Sequence, residues 1–324
     1  MLIPYSKGDS NRAKARKDIR WMFSRVGFLL GKLIMGNETK GMLIGAVGVL
    51  IFSLTLPFTR IAVLELNPLF VAFGRALLAG LCALGWLYFS KALRPTKTQL
   101  YKLLVIAIGI VYGFPIFTSV AMTTLPSAHG GIVLGVLPLV TAIFGALRFK
   151  ERPSISYWLA ALSGSLLVLG YAYLDGVTGL MLGDLWLLVA IIFAAIGYAE
   201  GGKLSLELGA INVISWALAL TLPINLVATY LFFDTPLDSV SNEALGSFLY
   251  VALFSMYIGF FFWYRGLAVG GVARVGQVQL LQPFATLIGA YFLLGESFTL
   301  LNAAFAGAVF LVVIIGRKMP IYST

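Results

Sequence analysis

The sequence predicts an all-α membrane protein with ten transmembrane helices, arranged as two inverted five-helix repeats. Three observations support this prediction: an apolar composition, basic residues gathered in alternate loops, and a pattern that recurs 145 residues further along the chain. Of the 324 residues, 60% are hydrophobic and only 11% are charged. A soluble domain carries about 25% charged residues. A chain this apolar could not cover its surface with polar groups in water, whereas lipid demands no such cover.

The apolar runs are long enough to cross a bilayer, because about 20 helical residues span its hydrocarbon core. They lack the alternation of barrel strands, so we expect helices. The predicted spans are 41–59, 68–89, 102–122, 127–147, 154–173, 183–202, 211–232, 246–266, 272–292 and 298–316. Small residues four apart favour close helix approach in lipid, although their abundance alone explains some pairs. These pairs are Gly41 with Gly45, Ala160 with Gly164, and Ala303 with Gly307.

The first 40 residues have a different composition, with nine of the 23 Lys and Arg residues. Arg25 and Lys32 interrupt an amphipathic stretch that begins at Trp21. Neither a spanning helix nor a signal peptide has charges placed in this way. We interpret 1–40 as a basic cytoplasmic tail whose amphipathic segment lies on the anionic inner leaflet. A transit peptide and a start codon placed too early are the alternatives.

Loop charges predict the orientation. Basic loops alternate with acidic ones, and basic loops face the cytoplasm. The basic set is Lys91, Arg94, Lys97, Arg148, Lys150 and Arg152, and the acidic set is Asp175, Asp234, Asp238 and Glu243. We therefore expect a protein of the cell inner membrane with both termini cytoplasmic. The net charge of +10 is an orientation signal, since no aromatic-studded basic groove of a nucleic-acid binder accompanies it.

The internal repeat is the most specific signal in the chain. The run SAHGGIVLGVLPLVTAIFGALRFKE from Ser127 aligns with VARVGQVQLLQPFATLIGAYFLLGE from Val272. Pro138 falls on Pro283 and Glu151 on Glu296 at one offset, a match that apolar bias does not explain; in the preceding helices Tyr112 and Phe117 fall on Tyr257 and Phe262. Each half, 41–174 and 183–318, would hold five helices. Because five is odd, the second half would enter the bilayer upside down, as in many transporters.

This pattern resembles the EamA type of the drug/metabolite transporter superfamily. The resemblance rests on a proline helix followed by Glu in each half, LPLVTAIFGALRFKE and QPFATLIGAYFLLGE, and on Arg75 in FGRALLAG, similar to a recurrent arginine of the family. It covers about residues 41–318. It implies a cavity between the halves and efflux or exchange of amino acids, nucleotide-like metabolites, sugars or drugs, without selecting one.

Glutamines of the ninth span are the first candidates for substrate binding, because polar groups within a membrane are costly. Gln279 and Gln282 are three residues apart and share a face, with Gln277 nearby. Leu134 and Leu137 occupy the equivalent positions of the first half. A cavity with one amide wall and one aliphatic wall suits an amphipathic zwitterion. The alternative is that these glutamines join helices by hydrogen bonds.

Arg75 and several aromatic residues complete the predicted substrate site. Arg75 lies about 10 Å along the second span by helix rise. It could attract an anionic group of the substrate, or it could snorkel or pair with Glu65. The aromatic candidates are Tyr112, Tyr257, Tyr198 and Trp263. Tyr112 and Tyr257 are the better ones because the repeat mirrors them, although such residues also pack or lie at the interface.

Four residues are candidates for hinges and gates. Pro138 and Pro283 each free a backbone carbonyl within a span, which produces either a hinge or a static kink. His129 and Arg274 share one repeat position and would lie at opposite mouths of the pathway, where gates or substrate-attracting charges belong. A residue at a membrane interface with no such role is the alternative for His129.

The remaining motifs argue against an enzyme. Cys82 is the single cysteine and His129 the single histidine. No metal-binding motif or phosphate-binding loop occurs, so we expect no catalytic site, metal or cofactor. Glu200 and Lys203, one turn apart, predict a local ion pair, with Glu200 as a proton carrier the alternative.

Taken together, these features predict a secondary transporter that exports or exchanges a small organic solute, an amino acid or related metabolite, by alternating access. Energy would come from a gradient or from exchange, and uncoupled facilitation or exchange is the default. The alternative function is a channel or a scramblase-like facilitator of lipid or solute. The expected partners are a small-molecule substrate and the lipid bilayer, and the oligomeric state is open.

Overall fold

A computed structural model of the chain describes residues 36–149, 152–174, 181–296, 299–317, 319 and 321–322, and these contain ten helices. The helices are α1 (Asn37–Glu65), α2 (Pro68–Phe89), α3 (Lys97–Ala121), α4 (Ser127–Arg148), α5 (Ile155–Leu174), α6 (Leu182–Leu208), α7 (Ala210–Leu231), α8 (Asn242–Gly270), α9 (Val272–Leu294) and α10 (Leu300–Arg317). Two-residue strands, β1 (Arg152–Pro153) and β2 (Ile321–Tyr322), pair antiparallel. The predicted tail 1–40, with its amphipathic segment, lies outside the described residues up to residue 35.

Eight of the helices, α1 to α4 and α6 to α9, are long and apolar enough to cross a membrane. Within the described residues, α5 and α10 contain shorter apolar stretches, Ile155–Leu167 and Ala303–Gly316. The chain is therefore an all-helical, multi-pass membrane protein. The count of ten spans stays a prediction.

Several helices extend beyond the predicted spans, because charged or polar residues at their ends have partners within the protein. α1 continues past residue 59 to Glu65, and the Arg60 guanidinium donates to the Met122 carbonyl at the end of α3. α3 begins at Lys97 rather than at 102, since Thr96 and Gln99 form a reciprocal capping box before its first turn.

The two predicted repeats carry the same interruptions of α-helical geometry. α3 contains a π-helical segment, Ala107–Gly113, and α8 contains another, Val251–Ile258. α4 contains a 3₁₀ turn, Leu134–Val136, and α9 contains Gln277–Leu281. Both correspondences follow the 145-residue offset read from the sequence. Mid-helix π and 3₁₀ segments often mark functional positions.

Helices of the first half pack against helices of the second. The pairs are α1 with α8, α2 with α7, α3 with α6, α4 with α9, and α5 with α10. α2 and α7, which the repeat makes equivalent, run antiparallel. At one end the rings of Phe70 and Phe233 are 5.5 Å apart, and at the other Trp86 Nε1 donates to Asn212 Oδ1 over 3.1 Å.

Glycines allow the backbones of α1 and α8 to approach closely. A Cβ atom on Gly41 would lie 2.5 Å from Gly270 Cα, and one on Gly266 would lie 2.7 Å from the Gly45 backbone nitrogen. The close approach predicted for Gly41 and Gly45 is therefore confirmed. The same prediction for Gly307 is wrong, since a Cβ there would meet no described atom within 4 Å.

Candidate functional site

A small enclosed cavity lies in the middle of the helix bundle, with room for about one water molecule. It is lined by Phe52, Thr55, Arg75, Ile110, Phe114, Tyr198, Ser255, Phe260 and Gln282. These residues come from six helices, three in each predicted half. Two broader depressions have walls that are almost entirely apolar and open on the outside of the bundle. The central cavity is the one where polar groups converge.

Arg75 is the charged residue of this cavity. It lies in α2 with 1% of its surface exposed, and its Nε and Nη1 atoms have no hydrogen-bond partner. Its Nη2 atom lies 4.0 Å from Met256 Sδ, which is a weak acceptor. An arginine keeps its charge at neutral pH, so this group is a buried cation.

The structural alternative predicted for Arg75, snorkelling or pairing with Glu65, is wrong. A side chain that is 1% exposed does not reach the membrane surface. The Glu65 carboxylate instead accepts hydrogen bonds from the Ser241 backbone nitrogen over 2.7 Å and from Ser241 Oγ over 2.6 Å. Those bonds fix the start of α8 to the end of α1 and leave Arg75 without that counter-ion.

Three further polar groups line the cavity. Thr55 Oγ1 and Ser255 Oγ are 2.8 Å apart and join α1 to the π-helical segment of α8. Gln282, 5% exposed, follows the 3₁₀ turn of α9, and its Oε1 atom has no hydrogen-bond partner. With Tyr198 included, the lining residues therefore carry a cationic donor, three hydroxyl groups and an open amide acceptor.

Aromatic rings form the rest of the wall. Phe52 lies 5.0 Å from Phe260 and 6.3 Å from Tyr198, measured between ring centroids. Trp263 stands behind them, 5.3 Å from Tyr198, fully buried and outside the cavity lining. It packs against Gly48 instead, at the contact of α1 with α8.

The other two predicted glutamines lie away from this cavity. Gln279 is 1% exposed, and both of its amide atoms lack hydrogen-bond partners. Gln277 packs against Gly316 of α10, where a Cβ would lie 2.6 Å from Gln277 Nε2. Neither side chain is among the residues that line the cavity.

Tyr112 and Tyr257, mirrored by the repeat, both contact α7. Tyr112 Oη donates to the Thr221 carbonyl over 3.5 Å, and Tyr257 Oη lies 2.8 Å from Ser215 Oγ. Neither lines the cavity. Of the eight predicted substrate residues, the structure brings Arg75, Tyr198 and Gln282 together.

Pro138 and Pro283 each follow a 3₁₀ turn, at or near the start of an α-helical segment. A proline has no N–H and cannot donate the backbone hydrogen bond that a continuing helix requires, so the winding changes at these positions. The two prolines thus mark the points where α4 and α9 change their winding.

His129 and Arg274 each meet an acid at the start of a helix. His129 Nε2 lies 2.6 Å from Asp184 Oδ1, and the two side chains are 10% and 4% exposed. Arg274 Nε lies 3.2 Å from Glu38 Oε2, with exposures of 6% and 53%. The repeat makes α6, which carries Asp184, equivalent to α1, which carries Glu38. The two pairs are thus counterparts at the starts of α4 and α9.

Two more acids bind between helices. Glu200 is 4% exposed and lies 3.1 Å from Arg148 Nε on α4. The Glu296 carboxylate accepts from Ser127 Oγ over 3.0 Å and from the Ala128 backbone nitrogen over 3.2 Å. A carboxylate there stabilises the positive end of the α4 dipole.

Sequence reasoning missed Thr55, Ser255, Phe52 and Phe260 as cavity residues. Hydroxyl groups in spans usually bond to their own helix, as Ser53 does to the Val49 carbonyl, and buried phenylalanines resemble ordinary core. One signal was present: Ile110 and Ser255 occupy one repeat position, and both line the cavity.

A bundle of long apolar helices with a buried polar centre between two equivalent halves defines a polytopic membrane protein with an internal pathway or site. Residues 39–172 and 181–316 each match the EamA-like transporter family. The chain belongs to this family, which confirms the resemblance predicted from its sequence.

Individual proteins agree. An uncharacterized transporter of Bacillus subtilis, YdeK, is 48% identical over 262 residues, which cover 81% of this chain and 91% of that protein. An uncharacterized transporter of Archaeoglobus fulgidus is 23% identical over 263 residues, covering 80% and 91%. A solved crystal structure aligns with a TM-score of 0.69 over 87% of this chain and 99% of the other, at 16% identity, and shows the shared fold. The protein is a membrane transporter.

Proposed function

We propose that the protein is a secondary transporter that exports or exchanges a small organic solute, an amino acid or related metabolite, by alternating access. Its binding site would be the cavity around Arg75. One observation carries this proposal: a buried guanidinium with two nitrogens that lack hydrogen-bond partners faces a small cavity whose walls come from both family-matched halves.

The energetics of Arg75 support a ligand site. Burying an unpaired charge costs several kcal/mol, and within a membrane polar groups usually pair or serve a pathway. The cavity has room for about one water molecule, so under this proposal it would have to widen before a solute could enter. A substrate group that pairs with Arg75 in the widened cavity would offset the cost of burying its charge.

The two halves would allow the protein to alternate between conformations that open to opposite sides of the membrane. We propose ten spans in inverted halves, in the cell inner membrane, with both termini cytoplasmic. The antiparallel contact of α2 with α7 and the repeated π and 3₁₀ segments support this arrangement. The His129–Asp184 and Arg274–Glu38 pairs would close opposite mouths, and the turns before Pro138 and Pro283 would act as hinges.

Flux in liposomes tests the proposal. Purified protein in sealed liposomes should take up a radiolabelled solute from a panel of amino acids and organic acids with saturable, competable kinetics. Uptake should accelerate when the same unlabelled solute is loaded inside. Flux that rises linearly without saturation would favour a channel, and lipid exchange between leaflets without solute flux would favour a scramblase.

A reporter fusion tests the orientation. A reporter that is active only outside the cytoplasm should be active when inserted within 234–244 and silent when inserted within 90–101. The matched control is the same reporter after residue 319, which should also be silent. The reverse pattern would contradict the inverted arrangement.

A further inference from the structure

The central cavity contains one full charge and no counter-charge. Among its lining residues, all of which the structure describes, Arg75 is the one ionised at neutral pH, and none is Asp or Glu. The buried acids on neighbouring helices already hold other groups. Asp184 meets His129, and Glu200 meets Arg148.

The free donors and acceptors of the cavity specify complementary groups on a ligand. Nε and Nη1 of Arg75 carry three of the five guanidinium N–H donors, and all three lack partners. A planar guanidinium matches the two oxygens of a carboxylate. Gln282 Oε1 lacks a donor, and a hydroxyl or amide N–H of the ligand would supply one. Phe52 and Phe260 offer an apolar surface to the remainder.

Two classes of ligand could present a carboxylate and a second hydrogen-bonding group to these residues, and they differ in net charge. A zwitterion brings a carboxylate and an ammonium, so the occupied cavity retains the net charge of Arg75. A monoanion with a hydroxyl group in place of the ammonium leaves the cavity neutral. Charges several ångströms apart in a protein interior repel strongly enough to change affinity by about tenfold or more. Cation–π contact with the rings offers an ammonium a smaller compensation at best, since Arg75 competes for the same rings.

We infer that the transported solute is a small organic monoanion, with one carboxylate for Arg75 and one uncharged hydrogen-bond donor for Gln282. This inference rests on the proposed function and selects, within the amino acids and related metabolites, the members with a net charge of −1. A hydroxy acid fits it, whereas the amino acid of the same shape does not.

A matched charge series tests the inference on the full-length protein in liposomes. The probes are 2-hydroxy-4-methylpentanoate, leucine and leucinamide, with 2-hydroxy-3-phenylpropanoate, phenylalanine and phenylalaninamide as a larger set. We expect saturable flux of an anion, with at least about tenfold weaker competition from its zwitterion and none from its amide. Anion uptake without exchange should quicken when the liposome interior is made positive, because the solute carries net charge.

Variants of Arg75 provide the second arm. Arg75→Gln should abolish the preference for the anion and admit the uncharged 2-hydroxy-4-methylpentanamide. Arg75→Lys, which keeps the charge, should retain the preference with weaker affinity. Size-exclusion chromatography checks that each variant folds, and the wild-type series stands even if one does not.

The outcomes separate this inference from the proposed function. Saturable flux in which leucine or phenylalanine competes as well as its hydroxy acid would overturn the inference and leave the transporter proposal intact. An anion preference that survives in Arg75→Gln would also overturn it. Absence of saturable flux for every probe would contradict the proposed function, and the inference with it.

Discussion

Buried charges are paired with acids at the starts of two helices but not in the centre of this protein. At the starts of α4 and α9, His129 and Arg274 each lie within 3.2 Å of a carboxylate. In the central cavity, Arg75 is more deeply buried than either and faces no acid. The chain thus neutralises its own charges where they join helices. It leaves one unneutralised where both halves meet, and under the proposed function this central charge is the one that a ligand would pair with.

The largest expected effect comes from removing the central charge. Arg75→Gln should lower the flux of a transported anion by about a hundredfold, as loss of a buried charge pair with the ligand costs about 2–5 kcal/mol. The thermal unfolding temperature should hold or rise, because an unpaired buried charge is removed. Flux in liposomes and melting of the purified protein measure the two effects.

A matched arginine controls this experiment. Arg265 is exposed and lines one of the lateral depressions, so Arg265→Gln should leave flux near wild type. If Arg75→Gln destabilised the protein and left flux per folded molecule unchanged, Arg75 would have a structural role like that of the paired charges at the helix starts. The proposed role in ligand binding would then be contradicted.

Removing one of the ion pairs at a helix start should instead lower the stability of the protein. Arg274→Gln removes the pair with Glu38 and the hydrogen bonds to the Gly316 carbonyl, 2.8 Å, and the Met319 carbonyl, 2.6 Å. We expect a loss of about 2–3 kcal/mol in the free energy of unfolding, since hydrogen bonds from a charged group are among the stronger ones. Denaturant titration in detergent measures it.

The exposed pair of Lys102 and Glu207 is the control for that loss. Its side chains are 26% and 44% exposed, and exposed ion pairs contribute about 0–1 kcal/mol. Lys102→Gln should therefore change stability by less than Arg274→Gln. Equal losses would show that burial does not distinguish the two sites.

A smaller effect should separate two glutamines. Gln282→Ala should weaken apparent substrate affinity about tenfold, because an unmatched polar group on a bound ligand costs about 1–3 kcal/mol. From the sequence we expect the same of Gln279→Ala, whereas the cavity lining predicts little change for it. Competition assays on both variants, at equal membrane abundance, decide between these expectations. Unchanged affinity in both would assign the two residues to packing.

The smallest expected effect concerns protons. His129 lies against Asp184 and Glu200 against Arg148, and none of the described residues that line the central cavity is an acid. We therefore expect an imposed pH gradient to cause no accumulation of solute in liposomes. Accumulation in wild type that His129→Ala or Glu200→Gln abolishes would contradict uncoupled transport.

The sequence predicts the helices well where local signals mark their ends. The predicted bounds of 68–89 agree with α2, because Asn67 caps its first turn and Pro68 begins it. Predicted ends fail where a charge has a tertiary partner, as Arg60 does. The π-helical segments could not be predicted from hydropathy, because an apolar run has the same hydropathy whether it forms an α-helix or a π-helix.

Residues of the candidate site are likewise predicted where a local signal marks them. Arg75, Tyr198 and Gln282 are conspicuous because polar groups are rare in apolar helices. The repeat relates Tyr112 to Tyr257 correctly, and both do bond to α7, but equivalence between halves does not reveal which way a side chain points. Gln277 shows the same limit, since its contact with Gly316 depends on how the next helix, α10, packs against α9.

The π-helical segments of α3 and α8 have a consequence for how each half tolerates deletions. A π segment holds one residue more than the α-helical turns it replaces, so deleting that residue would rotate the remainder of the helix by about 100°. Such a rotation in α8 would turn Ser255 away from Thr55. Because Ala107–Gly113 and Val251–Ile258 overlap at the 145-residue offset, the same deletion in either half would disturb an equivalent position, and a common origin of the halves would explain why both keep the extra residue.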